Sequence, residues 1–545
     1  MNILRKKVAA IILMVILVST VFSGCSKTQT PMANQGGKSA SPTGSALSDS
    51  SLKNTTSKDF SYPMEPITLS INIDPLTDAD FPAWAGDYVF WTRLEEETGV
   101  KLEFIGSESN ANEPSEKFLL LLASGDYPDL FLCNWLDFPG GPNAAINDGY
   151  IIPLNDYTEY FPSLMSCLEK DPELNKMIRT DEGTLYCFPF IGEKEMNGNT
   201  GAIIRQDWLD ELNLDVPVTI DDWYNVLKAF KKEKNVPAPL TFEARWLFLQ
   251  YAASLLSSPW EVCYPFYLVD GQVKFGPLEP GYKDFLAEMS KWYAEGLIDR
   301  DLPSVDKKTV EAKFASGEAG ISIQQTTNIV NTLKATANDP KFKITGLTTP
   351  VMNRGDEPQF NHHLNLYQGC YCMSISTQCK NIEAACRFAD YFYTQEGHML
   401  TSYGTEGFSY EIVNGEVQFT DVIMNNPEAV PATARYVVSY FNNWPIIASG
   451  YTKHLTPDII EIRSKFLANM DKYAIPPITH TSDESEYISV HYNNIDTYCR
   501  EMIIKYILGD ESLDTYDKFI ETIKGFGIDK ILEYKQAAYE RYLKR

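Results

Sequence analysis

The sequence predicts an α/β protein with a helix-rich C-terminal third. Strand and helix patterns alternate between residues 67 and 132, the alternation returns after residue 219, and consecutive helix patterns fill the chain from residue 496 onward. The chain has 545 residues, 44% of them hydrophobic, which is enough for two lobes with sizeable cores.

The first ordered stretch alternates strands and helices with short connections. Apolar and polar residues alternate over 67–73 and again over 100–104, which is the period of a strand. Helices are expected over about 87–99 and 115–124, and a short buried strand over 129–132. This βαβαβ order predicts a parallel sheet that is covered by helices.

Local signals also mark the later elements. Thr219 and Asp222 form a capping-box pattern that opens a helix, and Asp270-Gly271 between two apolar runs predicts a hairpin turn. Further helices are expected at 282–295, 381–394, 496–508, 513–525 and 528–543.

The N-terminus has the features of an export signal. A short basic region precedes an apolar run over 8–22, which is too short to span a membrane, and Ser23-Gly24-Cys25 follows. This pattern resembles a bacterial lipobox, in which Cys25 receives a lipid and residues 1–24 are removed; an ordinary signal peptide with a chance cysteine is the alternative. Residues 25–58 contain almost no bulky apolar side chains and are expected to form a flexible tether behind the lipidated Cys25.

The other nine cysteines do not suggest a disulfide framework, because their number is odd and they are scattered through apolar segments. Cys370, Cys372, Cys379 and Cys386 form the one cluster, which could bind zinc. The cluster lacks a C-x₂-C pair and a nearby histidine, so buried unpaired thiols are the favoured interpretation. The sequence predicts no metal and no cofactor.

Charge and motifs exclude several classes of function. The formal net charge of −26 argues against a nucleic-acid partner and against adhesion to an anionic membrane by charge alone. The chain contains no G-x-S-x-G, H-E-x-x-H or P-loop motif, and its one close histidine pair, His362-His363, is more typical of a solvated loop than of a metal site. The signal for an enzyme is weak.

Several tryptophans lie where loops should follow strands. Trp84 comes after the first strand and Trp135 after the third, while Trp246, Trp260 and Trp444 occupy segments rich in small and polar residues. The carboxyl ends of strands in α/β sheets bind ligands, and an indole stacks well on the apolar face of a sugar. The alternative for each tryptophan is that it packs in the core.

Six motifs in order resemble those of the family-1 extracellular solute-binding proteins, the lipoproteins that supply ABC sugar importers. The first is Leu122–Asp129 (LASGDYPD), which is similar to the family's ASGD-x-PD stretch. Further matches follow at Gly149–Asn155, Asp181–Tyr186, Arg205–Leu209, Gly296–Asp299 with Phe314–Gly317, and Tyr403–Gly407. The last resembles the long Gram-positive subgroup that includes the LplA-like lipoproteins, and the resemblance covers about 67–543.

This resemblance implies a two-lobe, periplasmic-binding-protein-like (type II) fold with a hinge between the lobes and ligand in the cleft. Lobe one would comprise 59–188 plus 350–402, and lobe two 189–349 plus 403–545.

The resemblance also implies ligand-binding residues. These are Arg205, Tyr403 and Glu406, together with Trp84, Trp135 and the lower-ranked Trp246. The alternative for Arg205 is an ion pair with Asp207, and the alternative for Glu406 is a carboxylate that caps backbone N–H groups in a hinge loop.

The sequence therefore predicts a monomeric, lipid-anchored receptor on the extracellular face of a Gram-positive membrane. It would capture a carbohydrate, an oligosaccharide rather than a monosaccharide, and deliver it to ABC permease subunits without catalysis. The same fold binding a peptide or a small cationic solute is one alternative. A surface polysaccharide-degrading enzyme is another, and it would need a perturbed carboxylate pair in the cleft.

Overall fold

The computed structural model describes residues 60–73, 83–105, 116–136, 138–192, 200–325, 330, 333, 337, 340–358, 367–440, 450–467 and 473–545. The signal peptide, Cys25 with its tether, His362-His363 and Trp444 lie outside these residues.

The strands of the described chain are, in order, β1 Ile67–Ile71, β2 Val100–Phe104, β3 Leu130–Leu132, β4 Phe188–Ile191, β5 Thr200–Arg205, β6 Leu240–Phe242, β7 Phe266–Val269, β8 Gln272–Phe275, β9 Ile321–Gln325, β10 Ile344–Gly346, β11 Tyr367–Ile375, β12 Tyr410–Val413 and β13 Glu416–Phe419.

The helices of the described chain are α1 Phe90–Thr98, α2 Glu116–Ser124, α3 Gly141–Asn147, α4 Pro162–Lys170, α5 Pro172–Met177, α6 Gln206–Leu212, α7 Ile220–Glu233, α8 Gln250–Ser257, α9 Pro280–Ala294, α10 Lys307–Ser316, α11 Ile382–Tyr391, α12 Gln395–Tyr403, α13 Asp421–Met424, α14 Pro431–Ser439, α15 Pro457–Phe466, α16 Ser482–Leu508, α17 Tyr516–Gly525 and α18 Ile528–Tyr542.

The first sheet contains five described strands in the order β2-β1-β3-β11-β4. β1 pairs in parallel with both β2 and β3, which confirms the predicted βαβαβ unit, whereas β11 runs antiparallel to β3 and β4. Gly99 ends α1 in the left-handed conformation (φ 76°), and a side chain there would meet the Met64 carbonyl oxygen at 2.3 Å. Only glycine therefore allows α1 to turn directly into β2.

The second sheet contains four described strands in the order β10-β5-β9-β6. β5 is antiparallel to its neighbours β10 and β9, and β6 is parallel to β9. The predicted capping box is present, because Thr219 and Asp222 each bond the other's backbone N–H at the start of α7. The predicted hairpin is also present, with Asp270 and Gly271 both at positive φ between β7 and β8.

Each sheet has its own apolar core. The first core packs residues such as Ile71, Phe131 and Phe388 between the first sheet and its helices. The second core includes Trp223 and Trp292 and extends into the C-terminal helices through residues such as Ile503 and Phe519. Complete burial of one such large apolar side chain contributes about 1.5–3 kcal/mol.

The C-terminal third is helix-rich, as predicted, but the prediction that its first helix begins at residue 496 is wrong. α16 begins at Ser482, with Thr481 and Glu484 forming a second capping box. The N-terminal half of α16 is mostly polar in sequence, and only a few of its side chains, among them Tyr487, Ile488 and Tyr492, pack against the second core, so its apolar periodicity is weak.

The segment after α12 packs beside the loop that follows β1. Ala85 and Val89 form a small apolar cluster with Ile423, Val437 and Val438. Residues beyond 403, assigned by resemblance to lobe two, thus contact a segment assigned to lobe one, and the lobe boundaries stay a prediction.

A cluster of charged side chains joins the C-terminal helix α18 to the first core's side of the molecule. Arg541 Nε donates to Asp181 Oδ2 at 2.7 Å, and Arg545 Nη2 donates to Asp181 Oδ1 at 2.6 Å. Tyr542 donates to Glu173 Oε1 at 2.6 Å. Because α18 packs into the second core and α5 into the first, these bonds connect helices that belong to different cores.

We expect Asp181→Asn to lower the free energy of unfolding by about 2 kcal/mol, because it removes the carboxylate partner of the enclosed Arg545 and leaves Arg541 paired with Glu484 alone. Urea denaturation followed by tryptophan fluorescence measures the change. Asp510→Asn, at an exposed site that has no ion pair within the described chain, is the control and should stay within about 0.5 kcal/mol of wild type. Equal losses in the two variants would contradict the role of this cluster.

Candidate functional site

Two chain crossings bring one edge of the first sheet to one edge of the second. The chain leaves β4 at Ile191 and enters β5 at Thr200, and later leaves β10 at Gly346 and enters β11 at Tyr367. From the strand directions, β4 ends and β11 begins at the edge where β1 to β3 end. Likewise β5 begins and β10 ends at the edge where β6 and β9 end. These two edges, the facing edges, are where open α/β sheets bind ligands.

A buried asparagine fixes the backbone of the first facing edge. Asn72 follows β1 and accepts the Leu132 N–H at 2.6 Å, which locks the end of β3 against the end of β1. Asn134 Oδ1 then accepts the Leu136 N–H at 3.1 Å and makes the tight turn that carries Trp135. The position of Trp135 is therefore set by two local side-chain to backbone bonds.

Trp135 itself points into the first core. It is 1% exposed, and its ring meets those of Phe118, Phe131 and Phe138 edge-on at centroid distances of 5.8, 5.6 and 5.2 Å. The indole Nε1 is buried without a hydrogen-bond partner among the described residues. These contacts match the core-packing alternative, and a ligand role for Trp135 stays a prediction.

Trp84 lies half-buried at the same edge, against the small cluster around Ala85 and Val89. Its Nε1 is also buried and makes no hydrogen bond to any described group. An unmade bond at a buried donor costs about 1–3 kcal/mol, so this N–H is a candidate donor to a ligand oxygen.

The second facing edge carries a buried amide that sequence reasoning missed. Gln324 is 2% exposed at the end of β9, and neither its Oε1 nor its Nε2 has a partner in the described part of the chain. It pairs in register with Gly201, where a side chain would lie 2.6 Å from the ring of Phe466. The sequence signal that could have identified Gln324 is a polar residue near the end of a largely apolar strand.

Arg245 and Trp246 follow β6 at this second edge. Trp246 is buried in the second core, and the half-exposed Arg245 guanidinium lies 4.5 Å from the centroid of its ring. Arg245 also pairs with Glu243 at 2.9 Å. The predicted ligand role of Trp246 stays a prediction, and the more accessible Arg245 is a further candidate that the sequence did not single out.

Arg205 lies at the opposite edge of the second sheet, because it ends β5, which runs antiparallel to β9. Only 2% exposed, it donates two bonds to Asp207, at 2.8 and 2.5 Å, between the rings of Trp208 and Phe342. This bidentate ion pair is the alternative that the sequence left open. The described contacts are structural, and a ligand role for Arg205 stays a prediction.

Tyr403 is brought together with a buried arginine. It ends α12, and its hydroxyl lies where a side chain on Gly450 would be. Arg435 donates Nε and Nη2 to the Ser402 carbonyl at 2.9 and 2.7 Å, and Nη1 to the Gly450 carbonyl at 3.1 Å. Arg435 Nη1 also lies 3.0 Å from His454 Nδ1. This network fixes the segment that bears Tyr403.

Glu406 is exposed in the turn after α12, close to Tyr410. Burial, and secondarily the charge of Glu406, raise the pKa of Tyr410. The ligand role predicted for Tyr403 and Glu406 stays a prediction.

His454 is neutral in the folded protein. Burial, and then the charges of Arg435 and Arg463, lower its pKa to about 3. With Nδ1 facing a guanidinium that can only donate, the ring proton is assigned to Nε2.

The described cysteines are free thiols. Seven of these eight are buried, and burial raises the pKa of Cys263 and of Cys379 to about 12. For these eight the prediction of unpaired thiols is confirmed, while the side chain of Cys370 lies outside the description. Within the described ranges, no group of three His, Cys, Asp or Glu side chains could hold a metal ion.

The model of the family described as bacterial extracellular solute-binding protein matches residues 76–399. This chain belongs to that family. The solute-binding protein is similar to the fructooligosaccharide ABC transporter substrate-binding protein FusA of Streptococcus pneumoniae, at 24% identity over 83% of this chain and 86% of FusA. It is also similar to the polygalacturonan/rhamnogalacturonan-binding protein YtcQ of Bacillus subtilis, at 24% identity over 77% of this chain and 82% of YtcQ.

Solved structures confirm the fold class. The alginate-binding protein AlgQ2 superposes with a TM-score of 0.70 over 87% of this solute-binding protein and 98% of AlgQ2, at 23% identity. FusA of S. pneumoniae in complex with kestose superposes with a TM-score of 0.69 over 88% of this chain and all of FusA, at 21% identity. The fold is that of the type II solute-binding proteins. None of the described helices is long and apolar enough to cross a membrane.

We expect acid to destabilise the solute-binding protein partly through His454. The unfolded chain binds a proton at His454 as the pH falls below 6.5, whereas the folded protein does not until about pH 3. Stability from this residue is therefore full above pH 6.5 and is lost as the pH falls.

His454→Asn keeps an acceptor for Arg435 and removes the titration. Between pH 6.5 and 5 the wild-type protein should lose up to about 2 kcal/mol more than the variant. Urea denaturation at several pH values measures both proteins, and parallel pH profiles would contradict the assignment of a neutral, buried His454.

Proposed function

We propose that this solute-binding protein captures an oligosaccharide between the facing edges and delivers it to the permease subunits of an ABC importer. The observation that carries the proposal is a pair of buried polar groups, one at each facing edge, that have no hydrogen-bond partner among the described residues: the Trp84 indole N–H and the Gln324 amide. A sugar hydroxyl both donates and accepts, so one chain of sugars can satisfy both groups. The names of FusA and YtcQ, which bind oligo- and polysaccharides, support the same ligand class.

Ligand would bind as the two sheets approach each other about the crossings, so that the closed form is the one the permease recognises. The lipid on Cys25 would hold the protein, as a monomer, at the extracellular face of the membrane.

A degradative enzyme is less well supported. Within the described chain, the one carboxyl whose pKa is raised is Asp390, to about 6, because it is buried. Asp390 accepts the Ser163 and Leu164 N–H groups at 3.1 and 2.8 Å at the start of α4, away from the facing edges. This carboxyl is a helix cap rather than half of an acid/base pair.

Calorimetric titration of residues 26–545 with neutral and acidic oligosaccharides tests the proposal, with product release assayed in the same samples. We expect saturable binding with a Kd of about 1 μM or tighter, which corresponds to about −8 kcal/mol, and no product. Turnover would contradict a receptor that only binds. If no oligosaccharide gives a binding heat but peptides or small cationic solutes do, the ligand belongs to that other class.

We expect Gln324→Leu to weaken oligosaccharide binding about tenfold or more while leaving the fold as stable as wild type or more so. The change removes a buried amide that has no partner among the described residues and keeps the volume, so the folded protein loses no described bond and the complex loses at least one. Calorimetry and urea denaturation measure the two effects.

Thr456→Val is the matched control, because the Thr456 hydroxyl is also buried without a partner in the described part of the chain. Thr456 lies at the N-terminal end of α15, whereas Phe466, which contacts Gly201, lies at the C-terminal end. It should leave the affinity unchanged. Equal affinity of Gln324→Leu and wild type would remove Gln324 from the site.

A further inference from the structure

A groove of about 890 Å³ runs along the outer edge of the first sheet. It lies between α1, the edge strand β2 and the segment Pro63–Pro66, and its volume is within the range of about 300–1,000 Å³ typical of ligand sites. Neither Trp84 nor Gln324 lines this groove.

One end of the groove lies at the first facing edge. Trp91 is in the first turn of α1, and Phe104 is the last residue of β2, so both lie at the end where the parallel strands finish. Glu65 and Gly99 line the other end. With five residues in β2 and about 3.3 Å per residue, the groove extends about 16 Å away from the first facing edge.

The aromatic wall of the groove is fixed in place. Trp91 is half-buried, and its ring packs on Phe104 at 5.0 Å and on Tyr440 at 4.6 Å. A partly exposed indole that is held by neighbouring rings offers a rigid surface on which the apolar face of a sugar can stack.

The polar wall favours hydroxyl groups over anions. Glu65, Glu95 and Lys101 are exposed and form no ion pair within the described part of the chain, while Glu96 is paired with Arg93. Carboxylates accept hydrogen bonds from hydroxyls, and an excess of them repels a uronate chain. The groove therefore suits a neutral carbohydrate.

A strand from another protein would fit the groove less well. β2 is an edge strand, but Lys101 and Glu103 are both exposed on it. Charged side chains on an edge strand are a common protection against pairing with a further strand.

We propose that this groove is an extension of the carbohydrate site: it holds the units of a neutral oligosaccharide that project beyond the facing edges, and so sets the preference for chain length. The inference rests on the proposed function and adds to it the charge class and the length of the ligand.

Calorimetry with fructo-, malto- and xylo-oligosaccharides, each as a series from disaccharide to octasaccharide, tests the inference. In the series that binds, the affinity of the wild-type protein should rise with length. The double variant Glu65→Ala/Glu95→Ala should lose about tenfold on the longest members and keep the affinity for the shortest. Thr92 also lines the groove, on the same face of α1 as Glu95. The bulky variant Thr92→Trp should fill the groove and so remove the dependence of affinity on chain length.

Glu416→Ala is the matched control, an exposed glutamate on the β12–β13 hairpin whose loss should leave every affinity unchanged. Affinity that does not depend on length in the wild type, or that rises with length equally in the groove variants, would overturn the inference and leave the proposed function standing. Absence of binding to every series would overturn both.

Discussion

The direction of the strands at the two chain crossings is the constraint on which the rest of the structure depends. Because β4 and β5 meet end to start, and β10 and β11 do the same, the carboxyl ends of both sheets' parallel strands face each other. Every loop that follows a parallel strand is then directed at one region. Reversing a strand at either crossing would direct the loops to different regions, so the position of the candidate site depends first on the topology and then on the side chains.

Within that region, the groups that matter most are those that folding leaves unsatisfied. The Asn72 side chain accepts the backbone N–H of Leu132 and so fixes the end of β1 to the end of β3. Trp84 and Gln324 keep polar atoms that no described neighbour satisfies, although burial makes this costly. At the facing edges, a ligand that bonds these atoms would remove the desolvation cost, which favours that ligand over others. The Trp223 N–H is also buried without a described partner, but it lies inside the second core, where a ligand cannot reach it.

Much of the fold could be predicted from the sequence, because it rests on local signals. The capping box at Thr219, the Asp270-Gly271 turn and the alternating strands around Leu69 and Leu102 are all present. The early start of α16 was missed because its first half is mostly polar and its few apolar side chains, such as Ile488, give only a weak periodicity. The site was less predictable: resemblance selected Arg205 by its motif, yet the reversed direction of β5 carries it to the far edge. The burial of Trp135 and Trp246 depends on tertiary packing that sequence spacing does not encode. The same holds for the Gln324 amide, which has no hydrogen-bond partner among the described residues.

The most direct test of the account is a crystal structure of the solute-binding protein grown with the oligosaccharide that it binds most tightly. We expect a sugar chain between the facing edges, with the Trp84 Nε1 and the Gln324 amide each within hydrogen-bond distance of a sugar oxygen. A ligand bound elsewhere, with both groups still unpartnered, would contradict it.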